Sequence, residues 1–207
     1  MLKPYHIEIM RIVLDDIASP RAVKKMIDAN LKQDRLSGLL GHDEYHFDNN
    51  AFVESHAYIE EQRALVLSSL RANRVCSAWS AFGRLTHTVQ DFYAHSNYIE
   101  LWLAYHSAGA VPAPPDVDPL DSNLIYSPAL RSGKVYVLEA LTLIPGFEPL
   151  IMPLLPRDSH AWMNIDSPGH GLNFAYAFHA AVKRTKIEFE RTVKNLPEEL
   201  VTLFVDQ

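Results

Sequence analysis

The stretch "RLTHTVQDFYAHSNYIELWL", Arg84 to Leu103, sets His87, Asp91 and His95 four residues apart in a segment that otherwise reads as a buried helix. At 100° per residue the three fall within an arc of about 80° on one side. Val75, Ala78, Phe82, Leu85, Val89 and Phe92 gather roughly opposite them. One face therefore packs into a core while the other meets a different environment, and the small residues Gly83 and Ala94 let another element or a ligand approach closely. A face that only met water would draw on Lys, Glu, Gln and Arg, whereas imidazole with carboxylate is a ligand set for zinc. From spacing alone, a solvated polar face and a metal site stand even.

The rest of the chain supplies helices around this one. Ile7, Met10, Ile12, Val13 and Ile17 recur at helical spacing between Tyr5 and Ile17, and Ser19 and Pro20 read as N-cap and first residue of a second helix. From Asn30 to Asn50 periodicity is lost and the segment reads as a loop rich in His and Asp. Helix resumes from Phe52 to Ala72, and a longer one runs from about Asn73 to Tyr105. Most of the proline lies between Ser107 and Pro156; "VPAPPDVDPLDSN" must be irregular, because each proline removes an amide donor and restricts its predecessor. "KVYVLEALTLI" suits a short strand pair or a helix. A long helix with Phe174, Phe178, Ala181, Phe189 and Val193 on one stripe closes the chain. The expectation is an all-α fold, residues 1–207 forming one helical domain, with an irregular proline-rich excursion over 107–166 between the central and last helices.

With 207 residues such a domain buries a large core unaided. Cys76 is the one cysteine, which excludes an intramolecular disulfide, and its apolar neighbours predict a buried thiol. A formal charge of -6 with scattered basic residues argues against duplex DNA as a partner. No run of eighteen apolar residues predicts a transmembrane segment, and "MLKPYHIEIMRIVLDD" lacks the features of a secretory signal, so a soluble cytoplasmic protein is expected.

Further ligand types lie upstream: His6 on the first helix, Asp34 in "QDRL", and His42, Asp43, His46 and Asp48 in "HDEYHFDNN". His42, Asp43, His56, His106 and His160 read as solvated, and His179 as packed or solvated. Together, however, a first helix, a loop and a central helix can converge on several metals. "LTHTVQDFYAHSNYIEL" resembles the central helix of the all-α zinc-dependent phospholipase C and single-strand nuclease superfamily, most closely its branch related to fungal heterokaryon-incompatibility proteins. The near-signature there, LHxxQDFYxHSN, reads here as Leu85, Thr86, His87, Gln90 to Tyr93 and His95 to Asn97. "YHFDNNAF", "PYHIEIMRIVL" and "NIDSPGH" support the same resemblance.

The resemblance implies one to three zinc ions in a cleft between helices. His46, His87 and Asp91 would match ligands of a first zinc, with Asp34 as bridging carboxylate or catalytic base. His6 with Asp91 would match ligands of a second. His95 would begin a third, with His170 and Asp166 standing in for the superfamily's His and acidic residue at the start of the last helix. The chain departs from the pattern at its Met-Leu-Lys-Pro-Tyr start, where the enzymes use the amine and carbonyl of an N-terminal tryptophan as ligands, so that ligand is expected to be missing. The Asp91–His95 interval is two residues shorter, and His170 and His179 are followed four residues later by Phe174 and Lys183 instead of Glu. The implied function is a zinc-dependent hydrolase of phosphoesters, phospholipase C-like or nuclease-like, acting on a small phosphoester, a lipid head group or a nucleotide. Tyr45, Phe47, Tyr93 and Tyr98 lie near the ligands in sequence and can stack on a base or surround a cationic head group, although core packing is the plainer role. The alternative is a non-catalytic helical module with one structural zinc and an excursion that binds a partner. A metal-free scaffold is disfavoured, since burying unpaired His and Asp is costly.

Overall fold

Capping and proline placement set the first helices. Helix α1 (Lys3–Leu14) has a proline in its first turn. In α2 (Pro20–Asn30), Pro20 opens the helix and the Ser19 hydroxyl accepts the Ala22 amide at 3.1 Å, as the sequence signals require. After a loop comes a single turn, α3 (Asp43–His46), then α4 (Phe52–Arg71) and the central α5 (Val75–His95). Helix α6 (Tyr98–His106) follows, and beyond the excursion lie α7 (Asn173–Val193) and α8 (Glu198–Val205). This computed structural model describes residues 1–39, 41–106, 109–144, 146–194 and 196–206, together with the side chains there except those of Leu39 and Leu143. Ser107 and Ala108, where the excursion was expected to begin, and Pro145 within it lie outside the described residues. The fold is all-α, and among the described residues extended pairing is confined to the isolated bridges Ser96–Ser132 and Lys134–Ser159.

Two expectations about helix extent are corrected. The helix expected to run from Asn73 to Tyr105 ends at His95. Ser96 is extended, its hydroxyl donating to the Phe92 carbonyl at 2.5 Å, and Asn97 donates to the Ala129 carbonyl and accepts the Arg131 amide. Both side chains bond backbone and so compete with helix continuation. The closing helix is followed by a second one, α8, whose Phe204 carbonyl accepts the indole N–H of Trp79 at 2.7 Å.

Helix α5 is the axis of the fold. Helices α2 and α4 flank it and α7 crosses it, leaving Ala81, Phe82, Leu85, Thr86, His87, Gln90 and Asp91 without solvent exposure. The His/Asp face is therefore buried like the apolar one, not turned outward. A side chain at Gly83 would collide with the Met26 carbonyl, so this glycine admits the backbone of α2. One apolar cluster, with Met10, Leu14, Met26, Val66, Trp79, Phe82 and Phe204, packs around the first half of α5. Another, with Ile9, Phe47, Ile59, Val89, Phe92, Tyr98, Trp102 and Ala181, packs around the second half. At roughly 1.5–3 kcal/mol per fully buried large side chain, these clusters supply the main apolar term that holds the helices around the polar face.

The excursion is irregular with short helices, and "KVYVLEALTLI" resolves into a 3-10 helix over Val137–Leu143 rather than strands. It is stapled to the loop after α3: Asn49 donates its amide to the Gly133 carbonyl and accepts the Val135 amide, while Asn50 and Ser132 exchange two bonds. Cys76, expected to be buried, is exposed, because it sits in the first turn of α5 where only one side of the helix is covered. No helix of the described residues is long and apolar enough to cross a membrane.

Candidate metal centre

Asp91, with no exposed surface, is the hub. Its Oδ2 lies 2.9 Å from His46 Nδ1 and 2.9 Å from His87 Nε2, and those two nitrogens are 3.1 Å apart. Asp34 Oδ1 stands 3.5 Å from His87 Nε2. On the other side of the carboxylate, Oδ1 lies 3.2 Å from His6 Nε2 and 2.6 Å from the Met1 amine. One carboxylate thus joins the first helix, the loop helix α3 and the central helix, with Asp34 at the edge nearest solvent.

The neighbours fix which nitrogens carry protons. Gln90 donates its amide to Thr185 at 3.0 Å, so its oxygen is the acceptor for His6 Nδ1 at 2.6 Å and for Asn30 Nδ2 at 3.2 Å. His6 is therefore protonated on Nδ1, and its Nε2 lone pair points at a carboxylate oxygen. His87 Nδ1 faces Asn30 Oδ1 at 3.4 Å, which likewise leaves the lone pair of Nε2 toward Asp91 and Asp34. This is the arrangement by which an outer hydrogen bond sets the tautomer of a metal-ligating histidine. The Met1 amine pairs with Asp91 Oδ1, and His46 Nδ1 lies within hydrogen-bond distance of both Asp91 Oδ2 and His87 Nε2, so the donor atoms of the group face one another. His6 Nε2 and His46 Nε2 are buried atoms with no hydrogen-bond partner among the described residues. Donor atoms around a tetrahedral zinc with bonds of about 2.0–2.1 Å lie about 3.3 Å apart, close to the spacings among His46, His87, Asp91 and Asp34. The donor set fits zinc.

Electrostatics agree. Burial outweighs the pull of Asp91 and lowers the pKa of His87 to about 4, keeping the imidazole neutral, the ligating form, near neutral pH. Burial would raise Asp91, but the Met1 amine and the histidines 87, 95 and 6 hold it well below the usual carboxylate range. For that amine burial disfavours charge, yet the carboxylates of Asp166 at 2.8 Å and Asp91 raise its pKa to about 11. Met1 is buried in this cleft, immediately before the start of α1.

A second buried group forms beside the first. Asp48 Oδ1 lies 2.8 Å from His160 Nδ1 and 3.4 Å from His95 Nδ1; His6, Asp34, His87 and Asp91 in the first group, and Asp48, His95 and His160 in the second, bring ligand atoms close enough to hold a metal ion. They differ in readiness. His95 Nδ1 is also 3.0 Å from the His46 carbonyl, and its Nε2 is 3.2 Å from Asp166 Oδ1. Burial and the Met1 amine oppose a charge on His95, but Asp91, Asp48 and Asp166 hold its pKa well above the ordinary histidine value. It is an imidazolium donating from both nitrogens, and ligation there requires release of a proton. Asp48 is held low chiefly by His95 and His160 against its own burial, and Asp166 by the Met1 amine and His95.

The loop that builds this corner is bent unusually: Phe47, Asn49 and Asn50 all have positive φ, at 60°, 54° and 59°. Asparagine tolerates this conformation and phenylalanine does not, so Phe47 is retained by burial against Phe52 and Phe92. The bend turns His46 and Asp48, on either side of it, toward the same cleft.

The expected ligands His6, Asp34, His46, His87 and Asp91 come together, with His95 next to them. His170 joins neither group. It is exposed, and its Nδ1 accepts the Asp166 amide at 3.1 Å, since a tight turn over Pro168–His170 folds it back on its own loop. Asp166 alone of that pair reaches His95. His160, expected to be solvated, is the corrected partner; the Lys134–Ser159 bridge carries it to Asp48, a long-range pairing no local pattern announces. His42 pairs with Glu44 outside the cluster. Tyr93 and Tyr98 spend their hydroxyls on the carbonyls of Pro119 and Asp118 and are core, as is Phe47, while Tyr45 stacks on His42. Gln90 and Asn30, which orient the ligands, were visible only as polar residues on helices; Gln90 stands next to Asp91 in the motif "QDFY".

Residues 15–108 match a family model described as the VWA7 N-terminal domain. The chain is 32% identical over 80 residues to von Willebrand factor A domain-containing protein 7 of Rattus norvegicus and 31% identical over 80 residues to that of Mus musculus. Each alignment covers 39% of this chain and 9% of the relative, so only a small part of those proteins is compared. No solved structure matches. The family-model match includes Asp34, His46, Asp48, His87, Asp91 and His95 and stops short of His6, His160 and Asp166. A helical fold with buried His/Asp clusters is consistent with the zinc phospholipase C type.

Proposed function

We propose that the chain is a zinc-dependent phosphoester hydrolase. The observation that carries this reading is the convergence of lone pairs from His6 and His87, with His46 and Asp34, on the two oxygens of one buried aspartate. His46, His87, Asp91 and Asp34 would hold one ion, and His6 with the second oxygen of Asp91 another. When bound, zinc supplies Lewis acidity toward a phosphoryl oxygen and brings the pKa of a water it binds to about 7.

The residues of the chain do the rest. Gln90 and Asn30 lock the imidazoles in the ligating tautomer. Asp34, with 19% of its side chain exposed, stands at the solvent edge and can accept a proton from an attacking water. The burial of His6, His87 and Asp91 excludes bulk water from their side of the site and strengthens the interactions there. A phosphate rather than a neutral ester suits the site, because the bound cations would be its largest local charges.

The same complete burial favours a second reading, a non-catalytic module with a structural zinc. A panel of bis-p-nitrophenyl phosphate, short-chain phosphatidylcholine and single-stranded DNA separates them. The hydrolase reading expects zinc-loaded wild type to turn over at least one substrate, with activity lost on chelation and in His87→Ala. Full metal content without turnover above the His87→Ala background selects the structural reading.

A further inference from the structure

The face of α5 that carries the ligands continues toward the helix start. At 100° per residue Ser80, Arg84, His87 and Asp91 fall within about 60° of one another. Where the metal cluster ends, a cavity of about 370 Å³ opens over this face, lined by Lys25 of α2, Ser69 of α4, and Arg74, Cys76, Ser80 and Arg84 of α5 and its N-cap. Among the described residues no carboxylate lines it. The neighbouring cations are already matched, Arg21 with Asp206 and Lys24 with Asp28, whereas Lys25, Arg74 and Arg84 have no carboxylate partner among the described residues. Arg84 is held by its Nε bond to Gln62 at 2.8 Å, which leaves the rest of the guanidinium to act.

Two independent features mark the cavity as an anion site. The 21-residue helix α5 begins at it with no side-chain cap, so the positive end of its dipole faces the cavity unopposed. Ser69 has no exposed surface, lines the cavity and has a hydroxyl with no hydrogen-bond partner among the described residues. The Ser69 hydroxyl lines the same cavity as Lys25, Arg74 and Arg84 and lacks an acceptor, and a phosphate oxygen is one. We infer that the Lys25, Ser69, Arg74 and Arg84 cavity binds the phosphate group of a small molecule. The volume admits a small phosphorylated ligand, pockets of this class beginning at about 300 Å³. The site does not depend on metal at Asp91.

Cys76, the one cysteine of the chain, is exposed and lines this cavity, so its alkylation reports occupancy. The test follows the rate of reaction with the uncharged reagent N-ethylmaleimide in the presence of a chelator, at ionic strength held constant with sodium chloride. Inorganic phosphate, glycerol 3-phosphate and vesicles containing phosphatidic acid form separate arms, so that free phosphate, a soluble ester and a lipid head group are distinguished. Alkylation of the wild type is expected to slow saturably, roughly tenfold once the binding arm stands about ten times above its Kd. Arg74→Ala and Lys25→Ala, both at positions with some solvent exposure, are expected to lose that protection while keeping the wild-type circular dichroism spectrum and melting temperature. Slowing no greater than in chloride alone in all three arms, or equal protection in both folded variants, overturns the inference. Because metal is chelated throughout, the result is independent of whether the Asp91 cluster hydrolyses anything.

Discussion

Asp91 and Glu188 are both carboxylates with no exposed surface in the same helical body, yet their surroundings are opposite. Glu188 is saturated with cations from the protein itself: Arg184 Nε at 2.8 Å and Arg191 Nη1 at 3.1 Å reach Oε1, and Arg63 Nη2 at 2.6 Å reaches Oε2. Asp91 meets the Met1 amine and ring nitrogens of His6, His46 and His87, with a second carboxylate, Asp34, beside them. A buried charge persists only when paired: Glu188 has three guanidinium groups on its two oxygens, whereas Asp91 shares the Met1 amine with Asp166 and turns its other oxygen to imidazoles. Glu188 is a closed structural joint between α4 and α7, whereas Asp91 belongs to a buried group that could hold a metal ion.

Breaking the closed joint has the largest effect on folding. Glu188→Ala leaves the largely buried Arg184 without its carboxylate, while Arg63 keeps Glu60 and Arg191 reaches solvent, and is expected to cost about 3 kcal/mol in urea unfolding, with no change in zinc affinity. A loss under about 1 kcal/mol would show that these pairs are no better than surface ones. Asp91→Asn is the converse: it keeps the volume, and zinc affinity is expected to fall at least about a hundredfold by competition with a chromogenic chelator, since both proposed ions lose a charged ligand. Retention of wild-type affinity would remove Asp91 from the centre.

Changes one step removed are smaller. Gln90→Leu leaves every proposed ligand in place but frees the His6 tautomer, and a drop in zinc affinity of about 10–100-fold is expected by the same competition. No drop would mean that the Gln90–His6 bond serves packing alone. Acid separates the two carboxylates further. Burial would raise the Glu188 pKa, but Arg184 and Arg63 hold it below its ordinary value. The stability it contributes is thus present above the unfolded value of about 4.3 and lost as the pH falls through the folded one. The slope of stability against pH in that acid range is expected to flatten in Glu188→Gln; an unchanged slope would contradict the pairing.

The sequence made one half of this contrast legible. His87 and Asp91 share a helix, so their common face follows from period alone, and the resemblance attached His46, His6 and Asp34 to them. Glu188 sits at an ordinary position on α7, and nothing local shows that Arg63, 125 residues away, meets it. His160 was read as solvated for the same reason: the bridge at Lys134 that delivers it is made by an excursion with no periodicity. His170 was chosen for its place before the last helix, where local turn geometry folds it away from the cleft. Cys76 looked buried because its neighbours are apolar, but a helix start is covered on one side only. Helix positions were thus readable where one period sets them, and missed where side chains from distant segments or bonds to backbone decide.

The central claim is that the Asp91 cluster binds zinc. Elemental analysis of protein purified under metal control and then equilibrated with zinc tests it most directly, with His87→Ala and Glu188→Gln in parallel. The wild type and Glu188→Gln are expected to hold at least about one zinc per chain and His87→Ala clearly less, as a tight site of this ligand type does near neutral pH. Less than about 0.2 zinc per wild-type chain after equilibration would contradict the account, because tight sites of this class fill under those conditions.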